Sequence, residues 1–203
     1  GGGTTAAPVT AATPNTEPNW SSEIRLSTED EKYIGWYPSM VVDADGRVHI
    51  SAYNASNASL SYIFLEGSYN GSNEWVAPTE DPQVVTVDSF NSVGYFSEIQ
   101  LNSGIPYIAY YNSSETGTRD SIRMARYTNT IPTTNPTIEA GVDSNGFATG
   151  DWEVQTIPVG SVPNGSSSTF LKVNLGFDSS GDPVVGYTGD SLEYVIPIAE
   201  VTP

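Results

Sequence analysis

The chain predicts an all-β fold of propeller-type blades, about three four-stranded antiparallel units with a strand offset at the N-terminus. Three observations predict it. First, the stretch GIPYIAYYN at residues 104–112 recurs upstream as GRVHISAYN at 46–54 and, more weakly, downstream as GDPVVGYTG at 181–189. Tandem self-similarity of this kind marks a repeat architecture, and repeats of short strands suit propeller blades. Second, Gly, Pro, Thr, Ser, Asn and Tyr are plentiful whereas Lys and Arg together number only 7, the usage of short strands joined by tight turns. Third, apolar residues alternate along each unit with the period of a half-buried strand.

Taken in order, residues 1–19 (GGGTTAAPVTAATPNTEPN) carry no periodic apolar face. They read as a flexible tether, because they offer too little burial to offset the entropy of ordering. A start at GGG is similar to bacterial lipoproteins in which a lipidated Cys precedes a Gly-rich spacer, which implies a lipid anchor through a processed N-terminus. The Cys is not in this sequence, and a proteolytic end or cloning scar fits as well.

Trp20 then heads a short strand at 23–27 (EIRLS). The first strand of the successive units falls at 35–43, 94–102 and 170–178, where Met40, Ile99 and Leu175, with Val42, Leu101 and Phe177, share one face. A turn ending in Gly46, Gly104 or Gly181 follows, and glycine there permits the positive φ of a tight hairpin. In the repeated strand, Ile50, Ile108 and Val185 form one column, Ala52, Tyr110 and Tyr187 another, and His49, Tyr107 and Val184 a neighbouring one. Apolar residues on both faces imply a strand sandwiched between neighbours. A third strand follows at 60–64, 122–127 and 192–196, and segments headed by Trp75 and Trp152 are expected to supply an outer, fourth strand.

The repeat domain thus spans 20–203, with units at about 20–67, 68–129 and 150–198. A Pro-, Thr- and Gly-rich insertion at 129–150 reads as an irregular loop making a contact specific to this protein. No tryptophan segment follows the third unit, so the strand near Trp20 is a spare fourth strand for some blade. Three units fall short of the ~4 to 8 blades usual for a closed propeller, and an open sheet edge invites pairing. Association follows as the expectation: a homodimer, a ring completed by another chain, or a continuous assembly.

The 203 residues carry 24 acidic and 7 basic side chains, a formal charge of −17. Nucleic acid is a poor partner for such a surface, since binding to a phosphate backbone depends on Lys and Arg. No run approaches the ~18 consecutive apolar residues of a membrane helix. Cysteine is absent, which excludes disulfides, thiolate metal sites and a cysteine nucleophile. Asn-x-Ser sequons at Asn54, Asn57, Asn70, Asn112 and Asn164 suit an exported protein, and they act only in a host that glycosylates.

Residues 39–54 and 97–112 resemble the repeats of bacterial exported and cell-surface β-propeller proteins, of the form S-hydrophobic-x-hydrophobic-D-x-x-G-x-P-H-I-x-Y-Y-D. The resemblance covers roughly residues 20–198 and is clearest in the first two units. It implies a propeller on or outside a bacterial surface, engaged in adhesion, assembly or ligand binding. Asn54, Asn112 and Gly189 depart from the final acidic residue, and His49 alone retains the histidine.

Candidate chemistry is sparse. His49 is the sole histidine, and its column partners Tyr107 and Val184 favour packing over catalysis. Asp43, Asp45, Asp178 and Asp182 surround hairpin turns, where they either ligate calcium or cap the turns. Tyr53 and Asn54, with Tyr111 and Asn112, end the repeated strands and are the best-placed groups for a glycan, although Tyr53, Tyr107, Tyr110, Tyr111, Tyr187 and Trp36 equally suit packing between blades. A sialidase-like glycoside hydrolase would need paired carboxylates and an arginine cluster, and the turn motif S-x-D-x-G-x-x-W is missing. The expectation is a noncatalytic structural subunit of a surface layer, sheath, filament or larger complex, with no cofactor other than calcium. A carbohydrate-binding or adhesive propeller is the alternative and a glycoside hydrolase the next.

Overall fold

The computed structural model describes residues 34–113, 121–129, 140–142, 148–158, 172–188 and 192–195. Every regular element in them is a strand. In chain order these are β1 (Ile34–Val42), β2 (Val48–Asn54), β3 (Ser59–Leu65), β4 (Ser68–Tyr69), β5 (Trp75–Val76), β6 (Gln83–Asp88), β7 (Ser92–Asn102), β8 (Ile105–Ser113), β9 (Ser121–Tyr127), β10 (Ala140–Val142), β11 (Ala148–Gly150), β12 (Trp152–Ile157), β13 (Val173–Phe177), β14 (Pro183–Thr188) and β15 (Leu192–Val195). The tether, the strand near Trp20 and Asn164 lie outside the described residues.

Three antiparallel sheets repeat one meander. The first has the order β1-β2-β3-β6, the second β7-β8-β9-β12 and the third β13-β14-β15. The repeated sequence stretch supplies the second strand of each sheet, hydrogen-bonded on both sides, as its two apolar faces require. Register repeats as well: Met40 stands opposite Ile50, Ile99 opposite Ile108, and Leu175 opposite Val185. The described strands close neither a barrel nor a ring.

The sheets stack front to back. The face carrying Met40, Ile50 and Ile63 in the first sheet, Ile99, Ile108 and Ala125 in the second, and Leu175 and Val185 in the third is called the front here. The front of the second sheet packs on the back of the first, joining Ile108, Tyr110, Tyr127 and Trp152 to Leu60, Tyr62 and Phe64. The front of the third packs on the back of the second, joining Leu175, Val185 and Tyr187 to Tyr107, Ala109 and Met124. First strands line up along the stack, β1 next to β7 and β7 next to β13.

One expected fourth strand is corrected. Trp152 does open β12, but Trp75 lies in the separate β4–β5 hairpin, and β6 completes the first sheet. The indole explains the difference. Its Nε1–H donates to the Gly46 carbonyl at 2.7 Å, its ring covers the cluster of Val48, Ile50, Ile63 and Leu65, and a Cβ at Gly67 would sit 2.6 Å from Nε1. A large ring with one donor thus finds a partner and a slot without joining the sheet, while QVVTVD offers four consecutive β-branched residues, which favour a strand. The insertion at 129–150 also holds more order than expected: it contains the β10–β11 hairpin, and β10 lies near β6.

Candidate functional site

The strand-end residues expected to meet a glycan are covered by the stacking. Tyr53 and Tyr111 are 6% and 2% exposed, and Asn54 and Asn112 are each 8% exposed. Tyr53 stacks on Tyr95 of the second sheet with centroids 4.1 Å apart, and the two hydroxyls lie within 2.8 Å. The Asn54 side-chain oxygen accepts the Ser56 N–H at 2.9 Å, an Asx turn closing the β2–β3 hairpin. Asn112 donates its amide to the Ser121 hydroxyl at 3.3 Å across β8 and β9. These groups tie turns and sheets together.

The four turn aspartates form two matching motifs at opposite ends of the stack. Asp43 Oδ1 accepts the N–H groups of Asp45 and Arg47, at 3.0 and 2.8 Å. Asp178 Oδ1 accepts those of Ser180 and Asp182, at 2.8 and 2.9 Å. The backbone carbonyls of Asp43 and Asp178 accept the N–H of Gly46 and Gly181, whose φ values are +92° and +87°. This is turn capping by one carboxylate oxygen of a short side chain. Asp45 and Asp182 stay exposed, and among the described residues no three His, Asp or Glu side chains converge on one point. An open cleft of about 470 Å³ beside the first turn is lined by Asp45, Glu66 and Glu80 around Arg47. Arg47 is itself paired with Asp43 at 2.5 Å and Asp45 at 3.3 Å.

Two buried polar groups follow from the same stacking. His49 is fully buried, with Nδ1 2.7 Å from the Tyr62 hydroxyl and Nε2 3.4 Å from Asp43 Oδ2. Burial lowers its pKa, opposed in part by Asp43, while the Asp43 carboxyl falls below its usual range because the hydrogen bonds and charge of Arg47 outweigh desolvation. Between the first and second sheets, Asp88 accepts from the Tyr110 hydroxyl at 2.6 Å, from Arg123 at 2.5 Å and from the Phe90 N–H at 3.0 Å. Burial raises the pKa of Asp88, and the three donors hold that rise back. The Asp88–Arg123 pair is the feature that sequence reasoning missed. Asp88 followed by Ser-Phe is an ordinary turn signal, and only the stack brings it to Arg123, one of three arginines in a short stretch.

The surface that stands apart is the front of the first sheet. Met40 and Val42 on β1 are 63% and 39% exposed, whereas Ile99, at the register of Met40, is fully buried; Trp36, opposite Tyr53 within the bulge, is 52% exposed. Trp75 of the β4–β5 hairpin packs on Val48, Ile50, Ile63 and Leu65, all buried, and among the described residues no sheet lies on the β1 edge. The aromatic corner here is built by a repeated pair of β-bulges, marked by register shifts at 34–39 and 93–98. Each places positive φ on a glycine and on an aromatic two residues later: +109° at Gly35 with +52° at Tyr37, and +103° at Gly94 with +52° at Phe96. Left-handed backbone at a bulky side chain is strained by about 1–3 kcal/mol and persists only where packing enforces it. In the second sheet the enforcement is visible: Tyr37 packs on Phe96 at 4.3 Å, and a Cβ on Gly94 would lie 2.8 Å from Leu60 Cα. At Gly35 no described residue lies within 4 Å of where a Cβ would sit. On the front of the first sheet, Met40 and Val42 of the edge strand are thus exposed, while Ile50 and Ile63 of the inner strands are buried.

No protein-family model matches the chain, and neither does any curated protein or solved structure, so the meaning of this face rests on its geometry.

Proposed function

We propose that the chain is a noncatalytic, exported, propeller-type module that works by protein–protein association, its stacked sheets serving as consecutive blades and the exposed β1 edge of the first serving as a docking surface. One observation carries this reading: Met40 is 63% exposed at the register where Ile99 is fully buried. Exposed apolar side chains at the edge strand of a sheet are what a structural subunit of a layer, sheath, filament or larger complex presents to its partner. The bound state of the acidic side chains supports the noncatalytic part, since Asp43, Asp88 and Asp178 are engaged by turn and inter-sheet donors.

Sedimentation and light scattering over a concentration series test the reading. The wild-type chain associates, and Met40→Asp, which places a charge among the exposed apolar side chains, weakens association by about tenfold or more. A chain that stays monomeric at high micromolar concentration, or a variant that associates like wild type, removes the proposal. A second reading, glycan binding, is favoured by the edge-to-face pair of Trp36 and Tyr37, with centroids 6.4 Å apart and both rings exposed. Saccharide titration with Trp36→Ala as the control separates the two.

A further inference from the structure

We infer that Asn70 is a self-modification site, where the Gly71 nitrogen closes on the Asn70 side chain and water opens the resulting ring to an aspartate that the turn accepts. The site is the tip of the β4–β5 hairpin, where Asn70, Gly71, Ser72 and Glu74 are all exposed. Its chemistry is independent of whether the chain associates.

Three described turns share one hydrogen-bond pattern. At 70–74 (NGSNE), Asn70 Oδ1 accepts the N–H groups of Ser72 and Glu74, both at 2.9 Å. The Asn70 carbonyl accepts the Asn73 N–H, and the Asn70 N–H donates to the Glu74 carbonyl. The turns at 43–47 (DADGR) and 178–182 (DSSGD) make the same four bonds from Asp43 and Asp178. The fourth residue is left-handed in each, with φ of +92° at Gly46, +87° at Gly181 and +60° at Asn73. What the first position needs is an acceptor oxygen, and a carboxylate supplies it in the other two turns. The turn accounts for neither Asn70 nor Gly71. Gly71 stands where the others have Ala44 and Ser179, its φ is not positive, and a Cβ there would meet no described residue within 4 Å.

Together these two departures make an Asn-Gly step, in which no side chain shields the backbone nitrogen beside the preceding amide. The Gly71 nitrogen bonds to Asn70 Cγ, the Cγ–Nδ2 bond breaks, and the Gly71 amide proton leaves with the departing ammonia, which yields a succinimide. Ring closure places negative charge on Oδ1, where the Ser72 and Glu74 N–H groups already point. One water then opens the ring, at Cγ to give aspartate or at the Asn70 backbone carbonyl to give isoaspartate. Aspartate restores the acceptor oxygen used by the Asp43 and Asp178 turns. Isoaspartate inserts a methylene into the backbone and loses the pattern, so the fold accommodates one product. Asn70 Nδ2 donates to Glu74 Oε2 at 2.9 Å, and conversion replaces that bond with a contact between two carboxylates.

Peptide mapping by mass spectrometry tests the site on the full chain, made in a host that does not N-glycosylate and incubated for weeks at neutral pH. Asn145-Gly146 and Asn164-Gly165 carry the same dipeptide outside the described residues, so products are scored by position. Expected at position 70 are aspartate as the main product in the folded chain and a larger share of isoaspartate when the chain is unfolded in guanidinium. Gly71→Ala, which copies Ala44, should slow conversion by about tenfold or more, with Gly71→Ser as a second variant should the first fail to fold. Asn70→Asp should melt like the wild type by circular dichroism. An amide that persists at position 70 in the folded chain while the unfolded chain converts would mean that the turn shields Asn70, and the site is overturned. Isoaspartate as the main product of the folded chain, or conversion of both folded Gly71 variants at the wild-type rate, overturns it equally.

Discussion

The fronts of the first and second sheets are two copies of one surface in different surroundings. Both begin with the same double bulge, both place an aliphatic residue opposite an isoleucine of the central strand, and both share the same strand order. They differ in the residues that fix a neighbour. The second sheet carries Tyr110 opposite Arg123, whereas the first has Ala52 opposite Ser61 at that register. The front of the second sheet thus has a buried charged lock as well as apolar packing, whereas the front of the first has its inner strands under Trp75 and Met40 exposed at its edge. A permanent contact within one chain tolerates a desolvated ion pair formed once on folding.

The largest expected effect lies in that lock. Arg123→Met removes the cation from a carboxylate that is itself fully buried, leaving Asp88 with Tyr110 and the Phe90 N–H. Breaking a buried pair from one side costs about 3–5 kcal/mol, read as a shift in the urea midpoint at neutral pH. The double variant Asp88→Asn with Arg123→Met restores part of the loss, because no unpaired charge then remains. Equal destabilisation by the single and double variants would show that Arg123 acts through packing over the Phe90 ring, 5.4 Å away, rather than through charge.

Next in size is the direct comparison of equivalent residues. Ile99→Ala opens a cavity in the inter-sheet core and is expected to cost about 2–5 kcal/mol. Met40→Ala, at the same register of the exposed β1 edge, is expected to change the stability of the dilute chain by less than about 0.5 kcal/mol. The pair of urea curves measures how much of the shared sequence pattern is used within the chain. A large loss at Met40 would mean that the first sheet's front is already covered in the dilute protein, and the two surfaces would no longer differ.

Much of this fold was legible in the residues, because the period-2 pattern and the turn glycines are local signals. Residues 104–112 and their two relatives became β8, β2 and β14, each the second strand of its sheet, and the columns of Ile50, Ile108 and Val185 proved to share a face. The fourth strands were less legible. Trp75 and Trp152 look alike in sequence, but one indole found a carbonyl at a turn and the other a slot between sheets, and only tertiary neighbours decide between those. The candidate site was least legible of all. Tyr53, Asn54, Tyr111 and Asn112 stand out by repetition, yet repetition selects what every sheet needs in order to stack. Exposure at Met40 cannot be read from the sequence either, because its strand alternates with the same period as the one around Ile99.

The smallest expected effect separates the two sheets by pH. On the back of the first sheet His49 occupies the column that Tyr107 fills in the second, and it faces Asp43, Arg47 and the Tyr62 hydroxyl, with the Phe64 ring edge-on at 5.3 Å. Because burial lowers its folded pKa below the ordinary value of about 6.5, the unfolded chain binds more protons than the folded one between those two values. The stability that a neutral His49 preserves is therefore present above about pH 6.5 and is lost as the pH falls from there toward the folded pKa. The Asp43 contribution, whose folded pKa is also lowered, survives this window and is lost only further into acid, below the usual carboxylate range. Replacing His49 with Gln should flatten the dependence of unfolding free energy between about pH 7.5 and 5 while leaving the more acidic limb in place. The raised pKa of Asp88 acts equally in both proteins and cancels from the difference. An unchanged slope in the variant would place the pH response elsewhere and reduce His49 to the packing role that Tyr107 plays one sheet along.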